Sequence, residues 1–162
     1  MTEDEIIAFV SGLPGVASTV AGADNGAPEV SWGDSFFFYD PDGTRPDARR
    51  HPFATIVTQD YPGFDTRSDL NRPGVFRLNV DAGRQRFQEL FGYPPAQHPE
   101  HADEYEYAAP DLVVPHPVYA THGWVSIVCP GKGTDQDAHS LLELAHQRAR
   151  NRYHAHDEPQ EP

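Results

Sequence analysis

Val75-Phe76-Arg77-Leu78-Asn79-Val80 decides the fold. Successive side chains of a strand point to opposite faces, so Phe76, Leu78 and Val80 share one face and Arg77 and Asn79 the other. One face of the sheet is therefore core and the other is polar. Immediately afterwards Asp81 is placed to cap a helix running through Phe91, with Phe87, Leu90 and Phe91 as its buried stripe and Gly92 as its stop. A half-apolar strand followed at once by a helix predicts a sheet with helices packed on it.

Upstream, Thr2-Glu3-Asp4-Glu5 has the form of a capping box, and Ile6, Val10 and Leu13 fall at helical spacing before Pro14-Gly15 stops the run. Residues 16–21 are rich in β-branched side chains and read as a strand, with Ala23-Asp24-Asn25-Gly26 as a tight hairpin connection. Residues 29–39 carry aromatic side chains on both faces, as a central strand does, and break at Asp40-Pro41-Asp42-Gly43. A polar, arginine-bearing loop over 44–52 precedes a strand at 54–58, which ends at Tyr61-Pro62-Gly63.

Downstream, residues 93–117 mix prolines, acids, tyrosines and histidines and predict an irregular surface excursion, interrupted by a short strand at Leu112-Val113-Val114. Residues 123–128 form the last strand, and Thr134 with Asp137 caps a final helix to about His154. Asp135 and Asp137 complement the positive start of that helix, and Arg148, Arg150 and Arg152 its negative end. Connections among the early strands are too short for parallel crossovers. The expected fold class is α+β: an antiparallel sheet with N-terminal, central and C-terminal helices packed on it. One domain over residues 1–155 and a disordered acidic tail over 156–162 complete the expectation.

The chain of 162 residues has 25 acidic against 12 basic side chains, a net charge of -13. Its average field repels phosphate, which disfavours nucleic acid and anionic membranes as partners. No apolar run approaches the roughly 20 residues of a membrane span. The lone Cys129 has no bridging partner and no leader-like segment precedes Thr2, so a cytoplasmic location is expected.

Trp32-Gly33-Asp34 leading into Phe36 to Tyr39, the Arg77 strand, His122-Gly123-Trp124-Val125-Ser126-Ile127 and a closing helix with Leu141-Leu142 and Tyr153 resemble the MmcQ/YjbR-like proteins. More closely, the chain is similar to an uncharacterised bacterial branch sharing Trp-Gly-Asp-Ser-Phe-Phe-Phe-Tyr-Asp, Phe-Ala-Thr-Ile-Val-Thr and His-Pro-Val-Tyr. The resemblance implies a bacterial source, a compact α+β fold sometimes called a double wing, and DNA binding. The family's His-x-Trp is matched by His122 and Trp124, whereas its lysine-bearing basic face is missing, since Lys132 is the one lysine. The resemblance supplies no catalytic residue.

Trp32, Asp34, Phe36 and Phe38 share strand parity, so Asp34 can orient a polar or cationic ligand over an aromatic floor; alternatively its carboxylate takes backbone amides in a turn. Arg77 and Asn79 either clamp a ligand or lie on an open face, with Arg77 paired to a neighbour such as Asp34 or Asp81. The stretch from His116 through Tyr119 and His122 to Trp124 is the densest packet of proton-transfer and stacking groups. His122 and Tyr119 are equally suited to satisfying backbone groups at the strand entrance.

His139, Glu143 and His146 recur at helical spacing but off the core stripe, and read as an incidental surface array; His98 and His101 likewise read as incidental. Pro130-Gly131-Lys132-Gly133-Thr134 runs from strand to helix but lacks the spacing of a phosphate loop, and Asp135 and Asp137 would repel phosphate. Cys129 reads as a packed strand-end thiol.

The expected function is a small-molecule-binding domain, of the sort that serves specialised metabolism or resistance, with an aromatic and histidine-lined pocket between sheet and helices, gated by residues 93–117. Trp32, Phe38, Arg77, Asn79 and Trp124 would contact the ligand, beside His116, Tyr119 and His122. One alternative is an enzyme with His122 or His116 as base and Asp34 or Tyr119 as partner. A DNA-binding or adaptor module is the other. No cofactor and no metal are expected.

Overall fold

A computed structural model describes residues 1–43 and 51–157. Most of the loop expected over 44–52 and the tail beyond Asp157 lie outside the described residues. The strands are β1 (Val16–Val20), β2 (Ser35–Tyr39), β3 (Ala54–Val57), β4 (Arg77–Asp81), β5 (Val113–Pro115) and β6 (Trp124–Val128). They form one sheet in the order β1-β2-β3-β4-β6-β5, each neighbouring pair antiparallel. Helices α1 (Glu3–Ser11), α2 (Gly83–Phe91) and α3 (Asp135–Asp157) supply the second layer. The expected α+β architecture is the one the chain adopts.

Strand parity builds the core. Ala54 lies opposite Val80 and Ile56 opposite Leu78, while Val80 and Leu78 face Val125 and Ile127 across the next pair. With Phe37 they make one continuous apolar face, buried under Ile6 and Val10 of α1, Phe87 of α2 and Leu141, Leu142 and Ala145 of α3. Fully burying each large side chain is worth roughly 1.5–3 kcal/mol, so this face carries the fold. The other face presents Phe36, Thr55, Val57, Arg77, Asn79, Trp124 and Ser126.

The N-terminal capping box forms as read, with Thr2 accepting from Glu5 and Glu5 returning to the Thr2 amide. Three expectations fail for local reasons. The tight hairpin at 23–26 is replaced by two 3-10 turns, Ala23–Asn25 and Glu29–Ser31, because Asn25 accepts from Gly22 N–H and donates to the Val20 carbonyl, curling the chain away from β1. The aromatic strand consequently begins at Ser35 rather than Glu29. Asp81 does not cap α2: it ends β4 and receives Arg148 and Arg152 from α3, at 3.0 and 3.4 Å.

Two sets of histidines also depart from expectation. Residues 95–104 form a 3-10 helix whose His98 is buried, with Nδ1 at 3.0 Å from the Tyr93 hydroxyl and Nε2 at 3.2 Å from that of Tyr107. His101 stacks on Tyr93 at 3.9 Å and Tyr105 joins through its hydroxyl, so the excursion carries a small polar-aromatic core of its own. His146 is likewise buried, its Nε2 2.7 Å from the Pro14 carbonyl, because the chain leaving α1 folds over that side of α3. Among the described residues no group of three or more His, Cys, Asp or Glu is placed to hold a metal, and no helix is long and apolar enough to cross a membrane.

The loop before α3 does hold a carboxylate, but from its own chain. Asp111, at φ 57°, accepts from the amides of Gly131 and Gly133 and from the Thr134 hydroxyl, and these bonds hold its carboxyl below the usual range. Cys129 packs half-buried beside Val57, Leu70 and Val128, as a structural thiol does.

At Gly123 (φ 86°) an added Cβ would lie 3.0 Å from the Gly83 carbonyl carbon, where α2 starts against β6. The left-handed backbone and this backbone-to-backbone approach both require glycine. Gly123→Ala is expected to lower stability by about 1–3 kcal/mol, read as a reduced urea midpoint at unchanged slope.

Candidate functional site

The polar sheet face is roofed by loops rather than by helices, and a cavity of about 440 Å³ lies under them. Its floor is Phe36, Thr55, Val57, Arg77, Asn79 and Trp124; its roof is Tyr61, Phe64 and Asp65 from the turn after β3 and His116 and Tyr119 from the segment between β5 and β6, and His51 and Pro52, just before β3, complete the lining. The pocket thus lies on the face opposite the helices, not between sheet and helices. Apart from His116, at its very end, the 93–117 segment does not line it.

Arg77 organises this space. It is 1% exposed, too costly for an arginine without partners, and its five N–H groups are nearly all engaged. Nη1 and Nη2 grip Asp65 at 3.0 and 2.6 Å, Nη1 also reaches Ser68 at 2.9 Å, and Nε donates to Asn79 at 2.7 Å. Asp65 itself is buried, and Tyr61 and Asp65 exchange backbone hydrogen bonds around Pro62-Gly63, so the turn presents the carboxylate to β4 as a unit. The partner is neither Asp34 nor Asp81, the two candidates read from the sequence, and Arg77 is not on an open face. Asn79 continues the network, donating to Thr55 at 3.0 Å and accepting from Ser126 at 2.8 Å.

Asp34 sits behind the wall. Its carboxylate accepts from the Thr58 amide and hydroxyl, at 2.9 and 3.1 Å, and from the Tyr61 hydroxyl. Burial holds the Asp34 carboxyl above its usual range, opposed by those hydrogen bonds. Burial and the bond to Asp34 push the Tyr61 hydroxyl up as well. The turn alternative, a carboxylate satisfying local donors, describes Asp34, and only Tyr61 carries its influence to the cavity.

His116 is 4% exposed, and the backbone N–H groups of Val118 and Tyr119 donate to its Nδ1 at 3.0 and 2.9 Å. Burial and the nearby Arg77 guanidinium push its pKa well below the ordinary histidine value. A neutral ring whose Nδ1 is an acceptor carries its proton on Nε2, the nitrogen facing Arg77. Tyr119 and Phe64 meet edge-on at 6.1 Å and are 42% and 58% exposed, which makes them the lips of the cavity.

The site residues read from the sequence therefore divide. Arg77, Asn79, His116, Tyr119 and Trp124 converge on the cavity. Trp32 is exposed, with its indole N–H on the Ala27 carbonyl, and Phe38 and His122 lie outside the lining, His122 on the surface. Tyr61, Phe64 and Asp65 were missed, as were His51, Pro52, Thr55 and Val57. The available signal was chemical: an arginine on a covered strand needs a counter-ion, and Asp65 beside a Pro-Gly turn was a third choice.

Over residues 1–158 the chain matches the model of a family described as a family of unknown function (DUF6194), and it belongs to that family. No curated protein and no solved structure matches it.

Removing one partner of a buried pair leaves a charge without compensation, so Asp65→Ala is expected to cost about 3–5 kcal/mol in chemical denaturation. His116 gives a pH signature. Its folded pKa is depressed, so as pH falls below 6.5 the unfolded chain takes up the proton first and stability drops, by up to about 1.4 kcal/mol per pH unit. His98 is depressed in the same direction. The slope belonging to His116 is the difference between wild type and His116→Asn, whose amide oxygen still accepts from residues 118 and 119; equal slopes would contradict the assignment.

Proposed function

We propose that this member of the family is a small-molecule-binding domain whose ligand enters between Phe64 and Tyr119 and lies on the Phe36–Trp124 side of the sheet. The supporting observation is the cavity itself: about 440 Å³, within the range of ligand sites, with aromatic walls and a few fixed polar groups converging on it. Those polar groups are held rigidly by bonds among themselves, which lowers the ordering cost of binding. Kinship with the MmcQ/YjbR-like proteins is proposed on the same footing, from the His122-x-Trp124 motif and the order of elements.

Binding is favoured over catalysis by the state of the titratable groups. His116 has its Nδ1 occupied and its pKa lowered, and Tyr61 is a weakened acid already donating to Asp34. A general base needs a free lone pair near neutral pH; His122, whose ring lies 6.2 Å from that of Tyr119, is outside the lining, and His51, which does line it, is exposed rather than fixed among the buried polar groups. A nucleic-acid role is disfavoured by the net charge of -13.

The test is an NMR titration with indole as probe. Amide shifts are expected at residues 55–57, 61–65, 77–79 and 116–124, with Phe36→Ala and Trp124→Ala each weakening binding by about five- to tenfold and His122→Gln leaving it unchanged. Shifts confined to the helical face, or affinity indifferent to Phe36 and Trp124, would remove the proposal.

A further inference from the structure

We infer that the pocket takes an uncharged ligand through a carbonyl oxygen that seats between Nη2 of Arg77 and Nε2 of His116. This rests on the pocket being a ligand site, and it names the chemical class that the site selects.

The inference begins from donor accounting. An arginine has five N–H groups, and four of those on Arg77 are matched by Asn79, Ser68 and the two oxygens of Asp65. The fifth, on Nη2, points at Nε2 of His116, 3.4 Å away. That nitrogen would accept only if the ring proton were on Nδ1, but Nδ1 already receives two backbone N–H groups at shorter distances. Moving the proton there would set two backbone amides against an N–H in exchange for one long contact. The favoured tautomer therefore brings two donors face to face, in side chains 1% and 4% exposed.

Buried donors without an acceptor are costly, and among the described residues no hydrogen bond supplies one to either. Both residues line the cavity, so an acceptor oxygen arriving from it relieves both at once. The ring stays neutral because burial and the guanidinium oppose its protonation, which preserves Nε2–H as a donor of fixed direction.

Charge decides which oxygen. The Arg77 cation is matched by the Asp65 carboxylate, Asp34 stands behind Tyr61 as a further acidic group, and the chain as a whole is anionic. A carboxylate or phosphate would meet no uncompensated positive charge there, and would pay desolvation for little return. An amide, ketone or lactone carbonyl accepts two hydrogen bonds without that cost. Phe36, Val57, Phe64, Tyr119 and Trp124 then favour a flat, apolar body attached to it.

The experiment compares benzamide, benzoate and toluene as probes on the full chain by amide chemical shifts, in wild type and in His116→Asn, which retains the acceptor for residues 118 and 119. Benzamide is expected to bind at least tenfold more tightly than benzoate or toluene, and His116→Asn to reduce it to the level of toluene. In the wild type, without any substitution, the imidazole nitrogen spectrum should place the His116 proton on Nε2 and shift that proton downfield when benzamide is added. Benzoate binding as tightly as benzamide would replace the inference with an anion clamp. Benzamide and toluene binding equally at the lining residues would overturn it while leaving the pocket as a ligand site, and no probe perturbing those residues would overturn both.

Discussion

The contact between Arg77 and Asp65 sets the terms for the rest of the polar sheet face. Removing two ions from water costs several kcal/mol each, and the attraction between them offsets this only when geometry is good and the remaining hydrogen-bonding groups are satisfied. Here the pair is two-pronged, and Asn79 and Ser68 take two of the remaining arginine protons. Because Asp65 belongs to the Tyr61–Asp65 turn, satisfying the arginine pulls that turn across the strands and closes the roof. A sheet that would otherwise be wet on one side acquires a sheltered hollow.

A second tie works in parallel. Asp34, just before β2, binds Thr58 and Tyr61, fixing the root of the same turn to the neighbouring strand. The opposite wall is fixed by His116, whose ring folds back on the amides of Val118 and Tyr119. Two groups of the types that transfer protons are thus committed to architecture, and what remains for a ligand is hydrogen-bond donation and aromatic surface.

What was legible in the chain followed from local periodicity. The alternation around Arg77 assigned the correct faces to Arg77, Leu78, Asn79 and Val80 of β4, and the Thr2–Glu5 capping box formed where it was read. Long-range choices were not legible. Asp34, Asp65 and Asp81 were all chemically able to pair with Arg77, and the outcome depended on α3 arriving with Arg148 and Arg152 to claim Asp81. His98 and His146 looked incidental because their surroundings read as irregular or exposed; His98 is buried by tyrosines close in sequence within a segment that lacks helical periodicity, and His146 by the chain leaving α1, far away in sequence. Of the pocket residues read correctly, Arg77, Asn79 and Trp124 are on strands and His116 is next to one; of those missed, Tyr61, Phe64 and Asp65 sit on the turn whose position Arg77 dictates, and Thr55 and Val57 on β3.

The two borders of the sheet are unlike each other. β5 is three residues long and ends in Pro115, which has no N–H to offer, so a foreign strand finds little to pair with there. β1 is five residues, Val16-Ala17-Ser18-Thr19-Val20, without a charge or a proline, and Val20 is exposed. Among the described residues, backbone-to-backbone joining of two molecules is therefore easiest along β1, and a lysine introduced into that strand is the simplest guard against aggregation of concentrated protein.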